Sequence, residues 1–281
     1  MSITAIGPAL DLDGPLPVAR RHALLSVSAP AVDVVYDDSG RWTNGVNVIG
    51  YPDGPPKLWE PCSTGTFRVK EDGVEAPQDR FDPIAVYFPL PCSTLGMGDY
   101  DVFSKRAELA LEATLSHGIE EALGAGVSLS NNPFLGDSGL TALAGGAAVS
   151  PSVGRSYLEN AIGSLTGRQG LIHATSAVVS EWGEGLGLRD VDELRTRAGT
   201  PVVSGSGYIG IDPVGKAASA ATKDWVFATG PVTVKISPFV TTSVDETVDT
   251  SDNSVVVRAE RYVVVEWDTA LQVGVLIDWS L

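Results

Sequence analysis

The chain has 281 residues, with 35 acidic against 19 basic side chains and a formal net charge of −16. That balance excludes a protein that grips nucleic acid through an extended basic face, because such binding neutralises phosphates with Lys and Arg. It leaves open a container whose inner wall merely encloses nucleic acid, and the length allows one large domain or two ordinary ones.

Residues 1–32 read as an N-terminal arm. Pro8, Pro15, Pro17 and Pro30 break every helix there. Ile3, Ile6, Leu10, Leu12, Leu16 and Val18 are nevertheless too apolar for a solvated tail, so the arm is expected to lie on a neighbouring subunit. Arg20, Arg21 and His22 form the tightest basic cluster, a solvated turn or, more sharply, a nucleic-acid or partner contact.

Residues 33–80 read as a projecting β-ribbon. Val32, Val34 and Tyr36 alternate with polar residues, Asp37-Asp38-Ser39-Gly40 makes a turn, and Thr64, Thr66, Phe67 and Val69 continue beyond the Pro/Gly-rich stretch 51–56. A two-stranded ribbon is marginal alone in water, so partners are expected to support it. Ile84 to Phe88 form a compact strand ended by Pro89 and Pro91.

The strongest helix spans residues 100–126. Phe103, Ala107, Leu111, Leu115, Ile119 and Leu123 recur every four residues and make one apolar stripe, with Lys105, Arg106, Glu108, Glu112, Glu120 and Glu121 mostly off it. About 22 helical residues give a rod of roughly 33 Å, which needs a sheet laid along it.

Residues 136–222 form a Gly/Ala-rich α/β zone. A helix is expected over 152–165 with Val153, Tyr157, Ala161 and Leu165 inward, then a strand at Leu171 to Ala174, a helix capped by Thr175, and a strand at Thr200 to Val203. Residues 223–281 are β-rich. Strands at 225–228, 232–236, 255–266 and 273–279 are expected to return to the sheet that covers the long helix, so that the α/β zone is inserted between two halves of one domain.

This order of arm, ribbon, strand, long helix, inserted zone and return strands resembles the HK97-type major capsid proteins of tailed phages. The wording of Phe81-Asp82-Pro83-Ile84-Ala85-Val86-Tyr87 through Pro91-Cys92-Ser93-Thr94 is similar to actinobacterial-phage members, as are Ile172-His173-Ala174-Thr175, Gly199-Thr200-Pro201-Val202-Val203 and Gly205-Ser206-Gly207-Tyr208. The resemblance implies an α+β fold with an N-arm at 1–32, an E-loop at 33–80, a peripheral domain with spine helix at 81–135 and 223–281, and an axial domain at 136–222. It implies a homo-oligomer of pentamers and hexamers that encloses DNA without reading its sequence. It also implies assembly in the host cytoplasm, a separate scaffolding protein or one removed before maturation because no long helical leader precedes the arm, and a shell surface open to a decoration protein. An encapsulin-like nanocompartment subunit is the nearest alternative, and a small α+β enzyme is a third.

The residues carry little chemistry. Gly205-Ser206-Gly207-Tyr208-Ile209-Gly210 matches GxGxxG, but Ile211-Asp212-Pro213 follows as a turn where a dinucleotide fold needs a helix, so a close-packed glycine loop near a subunit contact is expected instead. His22, His117 and His173 are scattered; His173 is expected to be a hydrogen-bonded core residue and His117 a partly exposed one. Cys62 and Cys92 are two isolated thiols and exclude a disulfide framework. Asp245, Glu246, Asp249 and Asp252 lack a calcium-loop pattern and read as a solvated loop. Lys57 and Lys70 with Asn253 permit a Lys–Asn cross-link in principle. No apolar run is long enough to cross a bilayer, and the first residues do not read as a secretory leader. No catalytic residue, metal or cofactor is expected.

Overall fold

The computed structural model describes residues 17–49, 78–93, 100–127, 130–165, 169–183, 186–190, 193–241, 248–249 and 254–281. In chain order the elements are β1 (Val32–Tyr36), β2 (Val46–Ile49), β3 (Gln78–Phe81), β4 (Ile84–Ser93), α1 (Tyr100–Ala125), β5 (Thr141–Ala142), α2 (Pro151–Leu165), β6 (Leu171–Ala174), α3 (Ser176–Trp182), β7 (Leu186–Asp190) and β8 (Glu193–Thr196). They continue as β9 (Pro201–Ser204), β10 (Lys223–Thr229), β11 (Val232–Ile236), β12 (Val240–Thr241), β13 (Val248–Asp249), β14 (Ser254–Trp267) and β15 (Gln272–Asp278).

Two sheets dominate. The first is built on β14, which pairs with β4 along one edge and with β11, β12 and β13 along the other, while β1 adds parallel to β11. The second has the order β5-β15-β10-β6-β9-β8-β7. Among the described residues β2 and β3 pair only with each other.

The α1 stripe is as the spacing predicts. Ala107, Leu111, Leu115, Ile119 and Leu123 are buried, and Phe103 packs at the edge of the same cluster. Against them lie alternate residues of the first sheet, Val257, Ala259, Val263 and Val265 of β14 with Ile84, Val86 and Phe88 of β4. A single carbon added at Gly118 would stand 2.9 Å from Val86, so the helix lies almost on β4. Arg261, buried in the same row of β14, brings a charge into this layer. Its guanidinium lies 3.7 Å over the Phe239 ring and donates to the Ser237 carbonyl at 2.7 Å and the Glu112 carboxylate at 3.2 Å.

The central strands of the second sheet, β6, β9, β10 and β15, are covered on both faces, which is why they read as continuous apolar runs. Leu171, Val203, Trp225, Phe227 and Leu276 face the α1 side, while Ile172, Val202, Val226, Ala228, Val273, Val275 and Ile277 face α2 and α3.

Five expectations need correction. The apolar residues of 23–32 find cover without a neighbour: Leu24, Val27, Ala31 and Val32 are buried in this chain's own core, whereas 17–21 are exposed and 1–16 fall outside the described residues. Val32–Tyr36 is not ribbon but the parallel neighbour of β11, a partner some 200 residues away that local alternation cannot announce. β10 and β15 return to the second sheet, not the first, so the inserted zone shares its sheet with the C-terminal strands. β4 continues through Pro89 and Pro91, since it pairs with β14 along one edge and proline is tolerated where the missing N–H faces away from the ladder. In α2 the inward row is Gly154, Leu158, Ala161 and Ile162, while Val153 and Tyr157 are 43% and 42% exposed. The small Gly154 decides this, because a carbon there would meet Ile277 at 2.8 Å and only glycine lets the helix sit so close to β15.

Leu115 tests the helix–sheet contact. Leu115→Ala is expected to lower unfolding free energy by about 3 kcal/mol through the cavity it leaves, while Thr114→Ala on the exposed side changes it by less than about 0.5 kcal/mol. Denaturant titration of the full chain reads both.

Candidate functional site: the joint between the two sheets

The glycine loop 205–210 does not run free. It crosses the C-terminal half of α1 at very short range. A carbon added at Gly207 would stand 2.5 Å from the Glu121 amide nitrogen and 2.6 Å from the His117 carbonyl oxygen; one at Gly205 would strike the Tyr208 ring. Glycine is required here by the helix backbone rather than by a ligand.

The amides of Gly205 and Gly207, and that of Ser204 just before them, are already occupied. Ser204 N–H donates to the His22 carbonyl at 2.7 Å, Gly205 N–H to the Ala174 carbonyl at 3.0 Å, and Gly207 N–H to Glu120 Oε2 at 3.1 Å. A phosphate cradle needs such amides free and a helix opening behind them; Gly205 and Gly207 are taken and no helix opens over 211–219, so the GxGxxG match has no nucleotide-binding geometry.

Glu120 is the centre of this joint and was missed in the sequence, where it read as one more solvated charge on α1. It is fully buried. Oε1 accepts from the Leu24 amide at 2.9 Å and the Ser116 hydroxyl at 3.3 Å, and Oε2 takes the Gly207 amide. Ser116 Oγ in turn accepts from the Leu25 amide at 3.2 Å. One carboxylate therefore joins the N-terminal segment, the long helix and the loop leaving the second sheet. A buried carboxylate without such donors would be strongly destabilising.

A second polar chain runs deeper. His173, fully buried, has Nδ1 2.9 Å from the Tyr208 hydroxyl and Nε2 3.0 Å from Thr229 Oγ1. Thr229 donates its own proton to the Gly230 carbonyl at 2.8 Å, so it accepts from Nε2–H, which leaves Nδ1 to accept from Tyr208. Burial lowers the His173 pKa to about 3 and keeps the ring neutral. Burial, with the Glu120 charge adding to it, raises the Tyr208 hydroxyl well above its usual value. This is a satisfied core network, as expected for His173. Asp224 anchors the far end: burial raises its pKa, opposed by the Thr175 hydroxyl at 2.9 Å and the Gly210 amide. Thr175 thus spends its hydroxyl on Asp224 and not on capping α3.

The other candidates are dispersed. His117 is exposed, with Nδ1 2.9 Å from Ser206 Oγ. Arg20 reaches Ser176. Cys62, Lys57, Lys70, Asp245, Glu246, Asp252 and Asn253 lie outside the described residues, as do the side chains of Cys92 and Asp249. Among the described residues no His, Cys, Asp or Glu cluster could hold a metal ion, and no helix is long and apolar enough to cross a membrane.

Solved structures decide the fold. The capsid of an empty GTA particle is similar over 98% of this chain and 95% of that one, with 14% identity and a TM-score of 0.55. A chain from Microbacterium phage Oxtober96 covers 96% and 95% at 13% identity and a TM-score of 0.53. The chain has a capsid-shell fold. An encapsulin from Synechococcus elongatus PCC 7942 shares it, over 97% of this chain and 92% of that one, at 10% identity and a TM-score of 0.51. No family model and no curated sequence matches the chain. Within this capsid-shell fold, the joint at Glu120 is where the two sheets and the N-terminal segment meet.

Two variants and a pH series test the joint. Gly207→Ala should destabilise the chain by about 2 kcal/mol or more, since helix backbone must yield, while Gly210→Ala, at φ 69° with open space around it, costs about 1 kcal/mol of backbone strain. His173 has a folded pKa below its unfolded value, so the unfolded state binds the extra proton between the two. Stability is therefore lost as pH falls below about 6.5, reaching on the order of 3 kcal/mol at pH 4. That component should vanish from the pH dependence of unfolding in His173→Gln.

Proposed function

We propose that the chain is an HK97-type major capsid protein that self-assembles into the icosahedral head of a tailed phage around its DNA. One observation carries this reading: the fold follows capsid-shell subunits from end to end, with no large part of either chain left over. Three features support it. β2 and β3 form a two-stranded stub outside both sheets, the base from which the residues between them depart. The outer face of the first sheet exposes Tyr87 at 56% and Tyr262 at 38%, with Arg258 stacked 5.2 Å from the Tyr87 ring, an aromatic surface suited to a neighbouring subunit. At the joint, Ile209 and Val214 stand 63% and 54% exposed.

In this reading residues 1–22 form the N-arm and the span between β2 and β3 forms the E-loop. α1 with the first sheet is the peripheral domain, and the second sheet with α2 and α3 is the axial domain. Copies associate as pentamers and hexamers, and ring-forming contacts close only at the right rotation. A separate scaffolding protein directs assembly in the host cytoplasm, and the outer surface is open to a decoration protein. The subunit has no catalytic role. It encloses DNA without base contacts, which its acidic balance permits. Lys57 or Lys70 with Asn253 would supply any Lys–Asn linkage.

The shared encapsulin fold favours one second reading, a nanocompartment shell with protein cargo. Electron microscopy of the purified chain is expected to show shells, capsomers or curved sheets; a monodisperse particle of about 29 kDa would overturn both shell readings. Nuclease-protected DNA inside particles from the native source supports the phage head, and a co-purifying protein cargo without DNA supports the compartment.

A further inference from the structure

Residues 22–28 cross the joint as a strap. The His22 carbonyl takes the Ser204 amide, the Leu24 amide goes to Glu120 Oε1, the Leu25 amide to Ser116, and the Ser28 hydroxyl to Glu193 Oε1 at 3.2 Å. Leu24 is fully buried beneath it. The strap therefore touches α1, β8 and the end of β9 before it enters the first sheet as β1. The glycine loop reaches the same carboxylate from the other side, through Oε2.

We propose that Glu120 couples the strap to the glycine loop, so that the two dock and release together. The physical reason is the shared acceptor. If the strap lifts, Oε1 loses the Leu24 amide inside a site with no solvent, and an under-hydrogen-bonded buried carboxylate is costly. The carboxylate then relaxes by turning or by admitting water, and either movement loosens its hold on Gly207. The converse follows by linkage: a displaced loop weakens the strap. Glu120 is a positioning residue, and a pull on the chain upstream of His22 is felt at the joint between the sheets. The coupling is a property of the single subunit. Only its consequence, an angle between sheets that answers to the position of the N-terminal segment within a shell, rests on the capsid reading.

The test is amide hydrogen exchange on the full-length chain, with amides of β15 as the internal reference for global opening. Leu24→Ala should speed exchange at Gly207 by about tenfold relative to β15. Glu120→Gln should speed exchange at Leu24 and Gly207 together, and Leu24→Ala should add nothing further at Gly207 in that background. Unchanged Gly207 exchange in Leu24→Ala overturns the coupling, as does an undiminished Leu24→Ala effect when Glu120 is already Gln. Should Glu120→Gln not fold, Gly207→Ala supplies the loop-side arm: faster exchange at Leu24 supports the proposal, and unchanged exchange there overturns it. Failure here with shells still visible by microscopy rejects the coupling alone; absence of shells with the coupling intact rejects the capsid reading alone.

Discussion

One helix has to serve two sheets. The stripe Ala107–Leu111–Leu115–Ile119–Leu123 is covered by β4 and β14 along most of its length, and the last turns meet the glycine loop and Tyr208 from the second sheet. Among the described residues neither sheet has a second α-helix on its α1 side. The relative placement of the two sheets therefore depends on how the C-terminal half of α1 is gripped. That grip is polar as well as apolar. The exposed carbonyls at the end of α1 are taken by the Leu135 and Gly136 amides at 2.8 and 2.9 Å, and Gln272 of β15 donates to the Phe134 carbonyl at 2.8 Å. The helix end is thus tied directly to the second sheet.

What the sequence made legible follows from periodicity. α1 was readable because one stripe persists over six turns, and β14 and β15 because long valine-rich runs have no other use. The second sheet's short strands at 171–174 and 201–204 were readable for the same reason, while β7 and β8, polar and short, were not. Assignment of strands to sheets was much less legible. β10 and β15 look like β14 in composition, and nothing local says that they pair with β6 and β5. The strap misled for a related reason: prolines mark residues 1–32 as irregular, and irregular chain with apolar residues can find its cover on its own subunit as well as on a neighbour. Leu24, Val27 and Val32 took the first course.

Motif and charge were the weakest guides at the joint. A GxGxxG pattern encodes only that backbone must come close to something. In dinucleotide folds that something is a pyrophosphate; here it is the backbone of α1 at His117 and Glu121. Glu120 stands beside Glu121 in sequence, yet one is fully buried and the other exposed. Their helical positions differ by about 100°, enough to turn Glu120 toward the strap and the loop. No composition or spacing argument distinguishes the pair, because the donors that make burial tolerable, Leu24 N and Gly207 N, lie 96 and 87 residues away.

A buried carboxylate is a poor way to gain stability, since a well-packed apolar side chain of similar size often does as well or better. Its advantage is direction. An apolar contact between strap, helix and loop would tolerate sliding, whereas two oxygens facing two amides accept one register only. Two sheets that share one helix keep a fixed relative angle only if their joint admits one register. A costly but directional contact at the point where both sheets, the long helix and the N-terminal segment converge meets that demand. The apolar stripe beside it supplies most of the cohesion and little of the orientation.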